Sequence, residues 1–278
     1  MPRIIRTRGD EVAKSESISY VAGNDSIEAY LAYPDDAEKH PGVVLIHEIF
    51  GLDDHIRKIA DRLAGEGYVV LAPHLFSSSK LSKVLSQQNI SAAMKFMMSI
   101  PVEKQRDEEY RSEALAKLGE QERDVVSGVN QLLFANRPTD LLTGYLSYGV
   151  DYLKTLENVS DRIGSVGFCF GGGMSINLSC TGKIAACVIF YGENPSSIEK
   201  IKDVNGSIMG LYGGEDRRIN SGLGELVKAM VEYNKPFTIR VFPGAYHGFF
   251  NNARPQTYNK QAAEEAWGML LEFYRTNL

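Results

Sequence analysis

The stretch GVVLIHE (42–48) is apolar without interruption from Gly42 to Ile46. A strand with one wet face alternates apolar and polar residues. An unbroken run must be covered on both faces, which is the situation of a strand inside a parallel sheet. YVVLAPHL (68–75) repeats the pattern, and strand-like runs return at RIGSVGFC (162–169), AACVIFYG (185–192), GSIMGLYG (206–213) and TIRVFPG (238–244). Helix-like segments such as LDDHIRKIADRLAGEGY (52–68) and GELVKAMVEYN (224–234) lie between them. This alternation predicts an α/β fold, a mostly parallel central sheet with helices on both faces. Two earlier runs, SISYV (17–21) and IEAYLAYP (27–34), are close enough to pair as an antiparallel hairpin at one edge.

In the first helical segment Leu52, Ile56, Ile59 and Leu63 fall on one face, Asp53 and Asp54 stand where the macrodipole favours negative charge, and Gly65 and Gly67 end it. The last helix, from about Tyr258, places Ala263, Trp267, Leu270 and Tyr274 at helical spacing, which makes Trp267 a core residue. Between these, SSSKLSKVLSQQNIS (77–91) is polar and irregular, and from about Ser91 to Arg137 the chain is charged and helix-favouring. The expectation is a helical insertion at about 79–137, either a solvated pair of surface helices or a lid. No repeat, low-complexity tract or Pro/Gly/Ser linker divides the chain, so residues 1–278 are expected to form a single domain carrying that insertion.

A formal net charge of −5, with no long Lys/Arg run, argues against nucleic acid or anionic lipid as partners and leaves a small molecule. No apolar stretch is long enough to span a bilayer, and MPRIIRTRGDEVAKSE (1–16) turns charged before a signal-peptide core could form. A cytoplasmic location is expected. The oligomeric state is left open. The three cysteines, Cys169, Cys180 and Cys187, form no CxxC pair and have no histidine at zinc-finger spacing, which disfavours a disulfide framework and a structural zinc.

Cys169 sits in Gly167-Phe168-Cys169-Phe170-Gly171, where an apolar strand ends and a helix begins. That context is what a nucleophile elbow requires: the turn is so tight that a side chain at either flanking position would clash, and the central residue is held exposed at a strained dihedral. The helix that follows aims free N–H groups and its positive dipole end at the elbow, which can hold a developing oxyanion. Cys180 and Cys187 lie in helix-like and strand-like runs and are expected to be structural. A nucleophile needs a base and an orienting acid, in the order nucleophile, acid, His along an α/β-hydrolase chain. Asp216, with Glu215 beside it, follows one strand, and His247, the sole histidine after Cys169, follows the next. The three residues predict a Cys169–His247–Asp216 triad.

At these residues the chain resembles the dienelactone hydrolase (carboxymethylenebutenolidase) family of α/β hydrolases. The matching pieces are HEIFGL (47–52), GYVVLAPHLF (67–76), GFCFGGG (167–173), YGGED (212–216) and HGFFN (247–251), covering most of the chain except the insertion. The resemblance implies a Glu48 paired with the thiol at rest and an oxyanion hole made by the backbone N–H groups of Ile49 and Phe170. Such a partner has a chemical use, because a free thiol with a pKa near 8.5 is only about 3% thiolate at neutral pH. Relatives acting on dienelactones bind the substrate carboxylate with arginines, one of them a few residues past the catalytic histidine. Here Asn251 stands four residues past His247, and the nearest arginine is Arg254; both are taken as substrate-binding candidates. Arg106, Arg111 and Arg123 are candidates for the second arginine, and His74 stands where many relatives carry an aspartate.

The expected function is hydrolysis of lactones or small esters through a thioester on Cys169, with no metal or organic cofactor. Two alternatives stand beside it: a non-catalytic small-molecule-binding protein on the same scaffold, and a metal-assisted hydrolase using His47, Glu48, Asp53, Asp54 and His55. The latter set matches no common ligand spacing. Neutral substrates are expected to be preferred unless Arg254 reaches the pocket.

Overall fold

The computed structural model describes residues 13–104 and 107–278, so Arg106 and the N-terminal segment through Val12 lie outside the described residues. The chain builds an eight-stranded sheet from β1 (Ala13–Ala22), β2 (Asp25–Pro34), β3 (His40–Ile46), β4 (Val69–Pro73), β5 (Val159–Phe168), β6 (Ala186–Phe190), β7 (Ser207–Gly213) and β8 (Phe237–Phe242). Their order across the sheet is β1-β2-β4-β3-β5-β6-β7-β8. β1 and β2 form the antiparallel hairpin at one edge, β2 runs antiparallel to β4, and the remaining neighbours are parallel. The uninterrupted apolar runs occupy the middle: every residue of β4 and β6 is buried, as are the last five of β3. β8 closes the far edge, and there four successive residues, from Thr238 to Val241, face solvent.

The helices cover both faces. α1 (Asp54–Ala64) and α9 (Lys260–Asn277) bury Ile56, Leu63, Trp267 and Leu270 against one face. On the other face lie α5 (Thr139–Leu153), α6 (Phe170–Ser179) and α8 (Leu223–Glu232). α1 starts later than the periodicity suggests: Asp53 is its N-cap, its side chain accepting the Ile56 N–H at 3.0 Å, and Leu52 lies before the helix.

Between β4 and α5 the chain forms α2 (Gln87–Ser99), α3 (Glu108–Ala116), α4 (Glu120–Asn130) and a π-helical turn at Gln131–Ala135. The polar stretch 77–91 is therefore not irregular throughout; Ser86 caps α2 by accepting the Asn89 N–H at 3.2 Å. Ile90, Ala93, Val126, Val129 and Leu133 join the core that β3, α5 and α6 share. A solvated face describes only α3, which buries no residue.

The strand order places the site. After β3 the chain steps to β4 on one side, then returns to pair β5 on the other, with Ile46 beside Gly167. Loops leaving β3 and β5 thus diverge at a topological switch point at the carboxyl edge of the sheet, the place where open α/β sheets hold ligands in a crevice.

Candidate active site

The elbow after β5 is as tight as its glycines suggest. A Cβ on Gly167 would sit 1.9 Å from the Gly171 carbonyl oxygen, and one on Gly171 would sit 2.2 Å from the Ile46 carbonyl oxygen. Cys169 has φ 54° and ψ −115°, a region that L-residues avoid. Its N–H donates to Phe190 O at 3.0 Å, and its carbonyl accepts the Gly172 N–H at 3.0 Å, so hydrogen bonds on both sides hold the strained residue. Phe170 is the first residue of α6, and its N–H has no acceptor inside the helix.

Loops after β7 and β8 meet Cys169 at this edge. His247 Nε2 lies 3.1 Å from Cys169 Sγ, and His247 Nδ1 lies 2.5 Å from Asp216 Oδ2. Asp216 is buried, and its Oδ1 accepts the Ile219 N–H at 3.3 Å, which leaves Oδ2 for the imidazole. The neighbouring Glu215 faces solvent, which separates the two carboxylates. Burial would lower the His247 pKa, but the hydrogen bonds and charges of Asp216 and Cys169 outweigh it and raise the value to about 10. Burial raises the Cys180 thiol to about 12 and the Cys187 thiol to about 11, and Cys187 Sγ lies 3.3 Å from Ser175 Oγ inside the core.

Glu48 follows β3 and is 3% exposed. Burial pushes its carboxyl above the ordinary carboxylate value, against the opposing pull of Arg254 and of a hydrogen bond from Asn251. That bond, Asn251 Nδ2 to Glu48 Oε2 at 2.6 Å, changes the part expected of Asn251. Its Oδ1 also accepts the Ala253 N–H at 3.0 Å, so the side chain braces Glu48 from the loop after β8. Arg254 lays its guanidinium 3.9 Å from the centroid of the Phe50 ring, in the same loop as Ile49, and its charge acts on Glu48. It therefore stands beside the crevice. Arg123 is half-buried on α4, and Arg111 on α3 lines a separate cavity of about 260 Å³ with Met94, Met97 and Phe134.

His47 is wholly buried with both ring nitrogens engaged. Nε2 accepts the Leu75 N–H at 3.1 Å, so Nδ1 carries the proton and donates to Glu48 O at 2.6 Å. Burial drives its pKa down to about 3, which keeps the ring neutral and fixes the loop that carries Glu48 and Ile49. With Asp53 capping α1 and His47 bonded at both nitrogens, these two side chains of the HEIFGLDDH segment act as structure. Among the described residues no group of three His, Cys, Asp or Glu side chains is gathered as a metal site. His74 packs under the same loop: Gly51 has φ +79°, and a Cβ there would lie 3.1 Å from His74 Nε2.

Two side chains of the site carry no motif. Tyr191, just after β6, has φ 41° and is fully buried, with its ring 5.1 Å from the His247 ring. Its hydroxyl feels the charge of Glu48 yet makes no hydrogen bond of ordinary geometry. Arg137 lies over Phe170, its guanidinium carbon 5.2 Å from the ring centroid. Tyr191 follows a strand end and Arg137 lies in the short link before α5, and neither position offers any other sequence signal.

A family model described as "Dienelactone hydrolase family" matches residues 27–278. A protein of Saccharolobus solfataricus named "Putative carboxymethylenebutenolidase" is 38% identical over 94% of this chain and 98% of its own length. One of the same name from Synechocystis is 29% identical over 92% and 94%. The fold is shared with a Klebsiella pneumoniae crystal structure titled "Putative Dienelactone Hydrolase", at a TM-score of 0.73 and 21% identity over 95% of this chain and 98% of that one. With the family model spanning nearly all the described residues and a relative above a third identical along its full length, the chain belongs to the dienelactone hydrolase family of α/β hydrolases.

Proposed function

We propose that this hydrolase cleaves lactones or small carboxylic esters through Cys169. The observation that carries the proposal is the pair of contacts at His247, 3.1 Å to the thiol and 2.5 Å to Asp216. With its pKa raised to about 10, His247 already holds the thiol proton on Nε2 at neutral pH, so Sγ attacks the carbonyl carbon as the thiolate and Asp216 holds the imidazolium. The oxyanion of the tetrahedral intermediate is received by the N–H groups of Ile49 and Phe170. Collapse breaks the C–O bond, and the departing alkoxide takes the proton from His247; in a lactone this alcohol stays attached to the acyl group. His247 then takes a proton from water, whose oxygen attacks the thioester. The second intermediate expels the Cys169 thiolate, restoring its pairing with the His247 imidazolium, and frees the acid.

Glu48, buried within electrostatic reach of His247 and with its carboxyl pushed up by burial, is a second proton store for the site. Arg254 is the proposed anchor for a substrate carboxylate on the β3 side of the crevice, because a buried carboxylate without an ionic partner costs several kcal/mol.

The experiment is a panel of lactones and short-chain esters with wild type and Cys169→Ala side by side. Loss of at least about a thousandfold in turnover is expected for Cys169→Ala, with Cys180→Ala and Cys187→Ala keeping most activity. Wild-type turnover in Cys169→Ala would refute the mechanism.

A further inference from the structure

Three charged side chains converge on the side of the site where β6 and β7 end. Arg137, which leads into α5, is held by donating from Nε and Nη2 to the Leu133 carbonyl at 3.0 and 2.8 Å, and rests on Phe170, the residue after Cys169. Its Nη1 donates to Glu193 Oε2 at 3.2 Å. Arg218, two residues past Asp216, donates to the other oxygen of the same carboxylate, Oε1, at 2.5 Å. Glu193 in turn follows Tyr191, whose ring packs on His247. Each member of the cluster is thus within two residues of a side chain of the site, or stacked on one.

Two guanidiniums sharing a carboxylate is the arrangement a carboxylate ligand receives in a binding site. Here the carboxylate belongs to the chain. Partial burial would push Glu193 up, and the two arginines overcome it and hold the group below its usual value, so it stays ionised at neutral pH. A substrate carboxylate at this end of the crevice would meet donors already taken and a negative charge.

We propose that Glu193 determines specificity, standing between Arg137 and Arg218 in place of a substrate carboxylate and reserving this end of the crevice for the neutral part of a lactone or ester. The substrate class rests on the hydrolase reading; the charge effect does not. Two arginines and one glutamate leave the cluster at +1, which Glu193→Gln raises to +2 and Arg218→Gln lowers to zero.

The test compares alkylation of Cys169 by iodoacetate, an anion, with that by iodoacetamide, its neutral analogue, the label being located by mass spectrometry. The ratio of the two rates cancels any change in the thiol's own reactivity. It should rise about threefold in Glu193→Gln and fall about threefold in Arg218→Gln, the scale for one unit charge across a partly solvated gap. Both shifts should shrink at about 1 M salt. Glu193→Asp, which keeps the charge, should retain the wild-type ratio. The ratio of kcat/KM for a free-acid substrate to that for its methyl ester should move in the same order. Unchanged ratios in both charge variants would overturn the proposal, and if Glu193→Gln did not fold, Arg218→Gln alone would decide it. A wild type that hydrolyses neither substrate would defeat the hydrolase reading, while the alkylation ratio would still settle the role of Glu193.

Discussion

At Glu48 a carboxyl group is almost fully removed from water, with the Asn251 amide as its hydrogen-bond partner. Burial raises its pKa above the ordinary 4.5, so the folded chain keeps a proton that the unfolded chain releases. The folded state then binds more protons, and stability must fall as pH rises from about 4.5 through the raised value, with no difference below it. Glu48→Gln keeps the shape and removes the titration. We expect this variant to melt higher than wild type at pH 7 by roughly 2–4 °C, the equivalent of about 1 kcal/mol in a chain of this size, and to converge with it near pH 4. Turnover should fall in the same variant. Melting curves between pH 4 and 8 measure it, and parallel curves for the two proteins would mean that burial does not raise the Glu48 carboxyl. The predicted trade of stability for chemistry is common where an active site buries a titratable group.

The element that decides the chemistry is the strand–turn–helix unit of β5 and α6. The two elbow glycines are required by space: on Gly171 a Cβ would meet the Ile46 and His47 carbonyl oxygens at 2.2 and 2.6 Å, and these are backbone atoms of the strand end that carries Glu48. Gly171→Ala should therefore cost about 3 kcal/mol and displace the Ile49 loop, abolishing activity. Gly268, exposed in α9 with nothing within 4 Å of its would-be Cβ, sets the contrast. Gly268→Ala should stabilise by about 0.5–1 kcal/mol through helix propensity alone. Urea titrations of both variants check the pair, and a wild-type midpoint for Gly171→Ala would contradict the elbow packing. The Gly167 half of the elbow was legible in the sequence because its constraint is local, a Cβ there meeting the Gly171 backbone, whereas Gly171 is constrained by the distant end of β3. The onset of α2 was not, since Ser86 becomes a cap only once Ile90 and Ala93 find a core to face.

Across the whole molecule the sheet separates two apolar layers. Trp267 belongs to the layer under α1 and α9, while Val126, Val129 and Leu133 of the insertion belong to the other. Because α2 and α4 share that second layer with β3 and α6, the insertion has no separate core of its own, and we propose that it unfolds with the sheet. Trp267 is the chain's one tryptophan, so its fluorescence reports the first layer, whereas far-UV circular dichroism reports helices on both faces. The two thermal transitions should coincide, and an earlier loss of helical signal at constant fluorescence would mark the insertion as an independent unit. No helix among the described residues is long and apolar enough to cross a membrane.

The sequence by itself determined the class of fold and marked Cys169 as the candidate nucleophile. Unbroken apolar runs can be satisfied only by strands covered on both faces, and the spacing around Cys169 admits glycine alone. It also marked Asp216 and His247, because residues just past the carboxyl ends of parallel strands face one crevice. What only the tertiary structure decided is the company these residues keep. Asn251 reaches Glu48 across 203 positions, and Arg137 meets Glu193 across 56. Tyr191 touches His247 because the loops of β6 and β8 arrive at one edge. Such contacts depend on loop paths and strand order, which residue type and spacing do not encode. Asn251 shows the consequence: its position past the histidine marked it as a site candidate, and packing gave it a buried carboxylate as hydrogen-bond partner.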